Sequence, residues 1–157
     1  MNIAVAGTGY VGLVTGVCLA EKGHQVTCVD VDEAKVAKMQ AGRSPIYEPG
    51  LEELMRANAA RLAFTTDWAA AYKDAQVIFI GVGTPEKKDG SANLKYVYDV
   101  ARQIADSVRS ECVVVVKSTV PIGTNDKVEK FLRERARAVR LHVASNPEFL
   151  AQGTAVR

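Results

Sequence analysis

Short apolar runs alternate with helix-like segments along the whole chain, and this alternation restricts the fold more than any other feature. The runs are Ile3–Ala6, Gln25–Val29, Leu62–Phe64, Gln76–Ile80, Cys112–Val116 and Leu141–Ala144. Several are rich in valine and isoleucine without polar alternation, which is typical of strands covered on both faces of a parallel sheet. Segments with helical spacing lie between them, near 10–22, 33–41, 50–58, 67–72, 94–108 and 124–136. The pattern predicts an α/β fold: a doubly wound parallel sheet of about six strands with helices on both faces.

The size and charge of the chain fit one globular domain. Its 157 residues are 48% hydrophobic and 24% charged, with a formal net charge of +2. We therefore predict one domain over residues 1–157 and expect neither nucleic acid nor a membrane as a partner. The basic stretch over 130–140 alternates with Glu129, Glu134 and apolar residues, which favours a solvated helix face. Because no long apolar run and no basic leader are present, we expect a cytoplasmic protein.

The first predicted strand leads directly into Gly7–Gly12, with the sequence GTGYVG, and a helical segment follows. This G-x-G-x-x-G pattern is short and common, but a strand-to-helix junction is where it binds dinucleotides. Gly7 permits the tight turn, Gly9 lets the backbone approach a pyrophosphate, and Gly12 lets the helix pack close to the strand. The pyrophosphate then contacts free N–H groups at the helix N-terminus. We predict a Rossmann-type dinucleotide-binding domain; a plain glycine-rich turn is the alternative.

An acidic residue, Asp30, ends the second predicted strand. A carboxylate at this point accepts hydrogen bonds from the adenosine ribose hydroxyls. It also repels a 2′-phosphate, so the predicted cofactor is NAD rather than NADP. Asp30 could instead cap the next helix, but Asp32 is better placed for that role. Lys35 lies one turn into this helix, as either a ribose contact or a solvated lysine, and its position alone does not distinguish the two.

The three cysteines show no pattern typical of a metal site. Cys18, Cys28 and Cys112 lie far apart in apolar segments, without a C-x-x-C or Cys/His spacing. We expect reduced thiols packed as small apolar groups, and no bound metal.

Four further motifs follow the glycine loop in a fixed order. They are Ser44–Leu54 (SPIYEPGLEEL), Gly83–Pro85 (GTP), Lys117–Gly123 (KSTVPIG) and Asn146–Leu150 (NPEFL). With these motifs in register, the chain resembles the N-terminal NAD-binding domain of the UDP-glucose/GDP-mannose dehydrogenase family over essentially its whole length. The sequence NPEFLAQG is most similar to the UDP-glucose branch.

The resemblance implies NAD-dependent oxidation of a nucleotide sugar, UDP-glucose to UDP-glucuronate, with two NAD molecules in succession. In the family a cysteine thiolate carries the intermediate as a thiohemiacetal and then as a thioester. That cysteine, with an accompanying lysine and asparagine, lies in the family's later region, and none of the three cysteines here occupies its motif. We therefore expect this chain to bind NAD without turning over a sugar, and the full-length enzyme to be a homodimer.

The resemblance also implies roles for matching positions. The positions that match cofactor contacts are Gly7, Gly9, Tyr10, Val11, Gly12, Asp30, Lys35, Thr84, Thr119 and Gln152. Those that match the segment touching the nucleotide sugar are Glu148, Phe149, Leu150, Ala151 and Gln152. Thr119 and Glu148 are the predicted catalytic residues, because a hydroxyl and a carboxylate can together orient a water. The alternatives are that Thr84 and Thr119 bond their own backbone, and that Glu148 starts a helical turn.

The chain departs from the family at Gln152, where a second carboxylate facing the cofactor is common. Glutamine keeps an acceptor and adds a donor but lacks the charge, so contact with the cofactor is still expected. For Ser44–Leu54 the residues themselves indicate no chemistry. Pro49 and Gly50 ahead of Leu51 predict a helix start, and we interpret this motif as structural.

Two alternatives to the UDP-glucose assignment stay open. A related dehydrogenase acting on GDP-mannose or a UDP-N-acetyl-aminosugar would share these motifs, because the base and the sugar are read by a substrate domain outside this sequence. A stand-alone NAD-binding module that senses or sequesters the cofactor is the alternative from another functional class.

Overall fold

The computed structural model describes residues 1–156, and every predicted helix and strand is present with bounds that differ by no more than one residue at either end. The strands are β1 (Asn2–Ala6), β2 (Gln25–Val29), β3 (Leu62–Thr65), β4 (Val77–Ile80), β5 (Cys112–Val116) and β6 (Leu141–Ser145). The helices are α1 (Tyr10–Glu21), α2 (Glu33–Gln40), α3 (Leu51–Ala57), α4 (Trp68–Lys73), α5 (Lys95–Ser107) and α6 (Thr124–Arg135).

The six strands form one parallel sheet in the order β3-β2-β1-β4-β5-β6. This order confirms the predicted doubly wound Rossmann-type fold, in which the winding reverses between β1 and β4. Ala6, at the end of β1, pairs with Val29 of β2 and with Ile80 of β4. The loops that follow these three strands therefore open together at one edge of the sheet, which is where such folds bind ligands.

Alternate residues of β1 face the two helical layers of the fold. Ile3 and Val5 pack in the cluster that includes α1, α2 and α3, whereas Ala4 and Ala6 pack in the cluster that includes α4, α5 and α6. All four side chains are 5% exposed or less. A strand buried on both faces has no solvent side for polar residues, and this is why the sequence shows an unbroken apolar run.

The predicted helix ends depend on local signals. Asp32 accepts a hydrogen bond from the Lys35 N–H at 3.0 Å and caps α2, as predicted. Helix α3 begins directly after Gly50, whose φ is +81°.

On α6, Arg133 forms an exposed ion pair with Glu129 at 2.6 Å, which agrees with a solvated helix face. None of the helices within residues 1–156 is long and apolar enough to cross a membrane.

The segment after β6 turns back over the layer that contains α1. Residues 146–156 have no regular secondary structure. Leu150, Ala155 and Val156 pack against the apolar cluster of that layer, and the Val156 side chain approaches Gly50. These contacts bring the NPEFL motif and the residues after it close to the start of α3.

Candidate functional site

A cleft with a volume of about 800 Å³ opens at the carboxyl edge of the sheet. Its walls include the loops after β1, β2 and β4, and one side of α5. The predicted cofactor residues that line it are Gly7, Gly9, Asp30 and Lys35. A volume of this order is typical of small-molecule and cofactor sites, which span about 300–1,000 Å³.

The three loop glycines have three different environments. Gly7 has φ +91°, which L side chains rarely adopt. A Cβ at Gly12 would lie 2.0 Å from the Gly7 carbonyl oxygen, so α1 approaches the loop too closely for any side chain. A Cβ at Gly9 would meet nothing within 4 Å. The protein itself therefore does not exclude a side chain at Gly9, and the open space there lies in the cleft.

Helix α1 begins at Tyr10, and its N-cap, Gly9, provides no side-chain hydrogen bond to the first turn. The leading N–H groups of a helix have no partner within the helix, and they carry the positive end of its dipole. Together with the open space at Gly9, this arrangement fits the pyrophosphate of a dinucleotide. The pyrophosphate needs backbone N–H donors and must come close to the backbone of the loop.

The Asp30 carboxylate is held in place by three neighbouring residues. Its Oδ2 accepts hydrogen bonds from the Thr8 N–H at 2.9 Å, from the Thr8 hydroxyl at 2.5 Å and from Lys35 Nζ at 3.2 Å. Its Oδ1 accepts one from the Asp32 N–H at 3.1 Å. Each carboxylate oxygen can accept more than one hydrogen bond, so Oδ1 retains capacity for a ribose hydroxyl.

The environment of Asp30 keeps it ionised. Burial by itself would raise its pKa, but the hydrogen bonds from Thr8, Asp32 and Lys35 outweigh burial and hold the pKa below its usual value. The ion pair also places Lys35, since its ammonium group lies against this carboxylate instead of extending freely into water. A fixed negative charge in this corner of the cleft is what discrimination against a 2′-phosphate requires.

Thr8 and Val31 are among the cleft residues that the sequence analysis missed. Thr8 is fully buried, at 0% exposure, and joins the glycine loop to Asp30 through both its N–H and its hydroxyl. A hydroxyl residue between the first two loop glycines was the available signal. Val31 lines the cleft with 85% of its surface exposed, and nothing in its sequence context marked it.

Thr84 and Thr119 lie outside the main cleft, in a separate hollow of about 420 Å³. The Thr84 hydroxyl donates to the Thr119 carbonyl oxygen at 2.8 Å, and the Ser118 hydroxyl donates to the Val82 carbonyl oxygen at 2.6 Å. The structure thus ties the loop after β4 to the loop after β5. Thr84 bonds the backbone of another loop, a role that the sequence analysis did not consider.

The predicted substrate segment also lies away from the main cleft. Lys117 Nζ donates to Asn146 Oδ1 at 3.0 Å and fixes the start of the segment to the end of β5. The Glu148 carboxylate accepts a hydrogen bond from the Leu150 N–H, and Phe149 is 90% exposed. Both predicted catalytic residues follow strands at the same edge of the sheet, and within residues 1–156 no direct hydrogen bond joins Glu148 to Thr119.

The cysteines lie in apolar surroundings, as the sequence predicted. Burial raises the pKa of Cys28 to about 12 and that of Cys112 to about 11. It also raises the pKa of the half-buried Cys18. The thiolate is the reactive form of cysteine, so none of the three is activated as a nucleophile. Residues 1–156 contain no cluster of His, Cys, Asp and Glu that could hold a metal ion.

The sequence profile of the "UDP-glucose/GDP-mannose dehydrogenase family, NAD binding domain" matches residues 1–157. The chain belongs to this family. The resemblance inferred from the motifs is thereby confirmed, and the cofactor of this domain is NAD.

Curated relatives agree with this assignment. The chain is 56% identical over 159 residues to the UDP-glucose 6-dehydrogenase YwqF of Bacillus subtilis, covering 99% of this chain and 36% of the relative. It is 51% identical over 162 residues to the UDP-glucose 6-dehydrogenase of Pseudomonas aeruginosa, again covering 99% of this chain and 36% of the relative. The chain thus spans little more than a third of these proteins.

Solved structures of the family have the same fold. A UDP-glucose dehydrogenase from Pyrobaculum islandicum matches with a TM-score of 0.93 at 44% identity, covering 98% of this chain and 37% of that one. A GDP-mannose dehydrogenase from Pseudomonas aeruginosa, solved as a ternary complex, matches with a TM-score of 0.94 at 41% identity, covering 99% and 38%. The fold is therefore shared between enzymes named for different nucleotide sugars.

The Asp30 carboxylate leads to a prediction about cofactor choice. We expect this domain to bind NAD at least about ten-fold more tightly than NADP, a difference of about 1.4 kcal/mol, because the 2′-phosphate would face an ionised Asp30. Calorimetric titration with both nucleotides measures the ratio. Asp30→Ala should weaken NAD binding and reduce the difference in affinity between NAD and NADP. Asp32→Ala, which removes a nearby carboxylate that caps α2, should keep the preference for NAD. Equal affinities in the unmodified domain would contradict the prediction.

Proposed function

We propose that this chain is the NAD-binding part of a longer UDP-glucose 6-dehydrogenase that oxidises UDP-glucose to UDP-glucuronate with two NAD. The observation that carries the proposal is the 56% identity to a UDP-glucose 6-dehydrogenase across 99% of the chain. The cleft that includes the glycine loop and the Asp30 carboxylate supports the NAD-binding part of the proposal. In the same proposal, the full-length protein is a cytoplasmic homodimer.

In this proposal the cleft residues hold the two polar parts of the cofactor. The backbone over Gly7–Gly12 binds the pyrophosphate, and Asp30 with Lys35 holds the adenosine ribose. Bound NAD supplies the chemistry of an electron acceptor for the oxidation of an alcohol. Tyr10 contributes through its backbone at the start of α1, because its hydroxyl donates to Glu48 at 2.7 Å, outside the cleft.

The loops after β5 and β6 supply the groups that act on the sugar in this proposal. Thr119 is exposed, and its carbonyl oxygen accepts a hydrogen bond from Thr84; in this proposal its hydroxyl orients a water. Glu148 supplies a carboxylate that holds and moves a proton of that water. The segment 148–152 contacts the nucleotide sugar, with Gln152 as a neutral contact where the family commonly has a carboxylate.

A dehydrogenase of GDP-mannose is the second candidate. Its support is the TM-score of 0.94 to the GDP-mannose dehydrogenase of Pseudomonas aeruginosa. The identity to that structure is 41%, compared with 56% to the UDP-glucose 6-dehydrogenase of Bacillus subtilis. The higher identity favours UDP-glucose.

The proposal is tested with the full-length protein, by following NADH absorbance with UDP-glucose, GDP-mannose and UDP-N-acetylglucosamine. We expect kcat/KM for UDP-glucose to exceed the other two by at least about ten-fold, or about 1.4 kcal/mol in the barrier. A preference for GDP-mannose or for the N-acetyl sugar would transfer the assignment to that branch. Absence of turnover with all three sugars, while NAD still binds, would favour a non-catalytic NAD-binding module.

A further inference from the structure

Outside the cleft, one carboxylate is almost completely buried. Glu48, in the loop before α3, is only 6% exposed. Its Oε2 accepts hydrogen bonds from the Tyr10 hydroxyl at 2.7 Å and from the Gly153 N–H at 2.7 Å, and its Oε1 accepts one from the Ala155 N–H at 2.9 Å. A buried charge is costly unless it is hydrogen-bonded, and here several donors converge on one side chain.

These contacts join three parts of the chain that are far apart in sequence. Tyr10 is the first residue of α1 and directly follows Gly9 of the cofactor loop. Gly153 and Ala155 belong to the irregular segment after β6. The Tyr10 hydroxyl also lies 3.5 Å from the Ala151 carbonyl oxygen. Glu48 therefore links the cofactor loop to the segment that contains the predicted substrate contacts.

The tyrosine in this linkage is a stable hydrogen-bond donor. Burial and the neighbouring Glu48 carboxylate raise the pKa of Tyr10 to about 12. The hydroxyl thus keeps its proton at neutral pH and donates a hydrogen bond to the Glu48 carboxylate. Hydrogen bonds to an ionised group are roughly twice as strong as neutral ones, so this contact fixes the distance between α1 and Glu48.

We propose that Glu48 is a positioning residue, which sets the segment 148–155 at a fixed place relative to the glycine loop and so aligns the nucleotide sugar with the cofactor. The inference rests on the proposed function, because that function assigns the sugar to residues 148–152. It assigns a role to Glu48 of the motif SPIYEPGLEEL, which the sequence analysis interpreted as structural. Glu48 acts on the segment through backbone N–H groups and does not line the cleft.

The first experiment measures whether Glu48 holds the segment. Glu48→Gln removes the charge, and one of the two oxygens is replaced by an amide nitrogen that only donates. We expect hydrogen exchange at the Gly153 and Ala155 amides to accelerate by at least about ten-fold, equivalent to about 1.4 kcal/mol, with NAD affinity unchanged. Glu52→Gln is the matched control: Glu52 accepts from the Ser44 N–H and pairs with Arg56, away from residues 148–155. The control should leave both measurements unchanged.

Two results of this experiment would overturn the proposal. Unchanged exchange at Gly153 and Ala155 would show that the apolar contacts of Leu150 and Ala155 hold the segment without Glu48. An equal loss of NAD affinity would show that Glu48 supports the whole domain instead of one segment. If Glu48→Gln does not fold, Tyr10→Phe removes a single donor and keeps the carboxylate. It should accelerate exchange at the same amides by a smaller factor, and no acceleration would again overturn the proposal.

The second experiment uses the full-length enzyme. For Glu48→Gln, we expect kcat/KM for the nucleotide sugar to fall by at least about ten-fold, or about 1.4 kcal/mol, while the KM for NAD stays within about two-fold of the unmodified enzyme, a difference of about 0.4 kcal/mol. A merely structural role would lower kcat/KM for the nucleotide sugar and raise the KM for NAD together. If the unmodified enzyme oxidises no nucleotide sugar, the proposed function fails. If it is active and Glu48→Gln has the same kcat/KM, the positioning role alone fails.

Discussion

We expect Gly9→Val to abolish NAD binding while the domain stays folded. A Cβ at Gly9 meets no protein atom within 4 Å, so the free domain accommodates the new side chain. The valine then occupies the space that the pyrophosphate needs for its approach to the backbone of the loop. Thermal unfolding with and without NAD separates the two effects, since a ligand at about 100 times its Kd stabilises the folded state by about 2.7 kcal/mol. This stabilisation should disappear in the variant.

Gly12→Ala is the matched comparison, with the opposite expected result. Its Cβ would lie 2.0 Å from the Gly7 carbonyl oxygen, a backbone atom, so either the loop or α1 must shift to relieve the clash. Overpacking of this kind costs typically about 1–3 kcal/mol and occasionally more, and we expect the upper end or beyond. The free domain should therefore unfold at a lower temperature. If Gly9→Val keeps the full stabilisation by NAD, the loop is not the pyrophosphate site.

The second large effect concerns catalysis: we expect the 157-residue chain alone to bind NAD and to oxidise no nucleotide sugar. In the proposed function the cysteine nucleophile lies outside these residues, and burial raises the pKa of Cys18, Cys28 and Cys112. In the proposed function this domain forms only one wall of the substrate cleft. Loss of positioning alone can remove about 7–11 kcal/mol of barrier lowering, which would make turnover undetectable.

The assay follows NADH absorbance at saturating NAD with UDP-glucose, GDP-mannose and UDP-N-acetylglucosamine. A heat-killed sample is the negative control and the full-length enzyme is the positive control. Turnover by the isolated chain with any sugar would show that residues within it complete an active site. Cys18→Ser and Cys112→Ser would then be the first variants to test.

The fold could be predicted from the sequence because its determinants are local or periodic. Unbroken apolar runs mark strands that are covered on both faces, and β1 shows this directly, with Ile3 and Ala4 in opposite layers. Helix ends depend on short-range signals, such as the Asp32 cap of α2. Short crossovers leave few topologies open, so the alternation indicated a doubly wound sheet, whereas the strand order came from the structure.

Part of the cleft could also be predicted from the sequence, because the cleft is built where three strands end. Glycine spacing after β1 and a carboxylate at the end of β2 are readable without coordinates. The position of Asp30 was predicted, but the hydrogen bonds that orient it were not. The buried hydroxyl of Thr8, 2.5 Å from Asp30 Oδ2, depends on how closely β1 and β2 pack, which no local pattern encodes.

What the sequence determined by itself was the class of fold, the glycine loop with its acidic partner, and the family through five motifs in register. Only the tertiary structure decided which motifs meet. It placed Thr84 against Thr119, and it brought Glu48 to Tyr10, Gly153 and Ala155. These contacts join segments separated by up to 107 positions in the chain. Their partners are set by the way the loops fold over the finished sheet, whereas secondary structure and turns are set by neighbours along the chain.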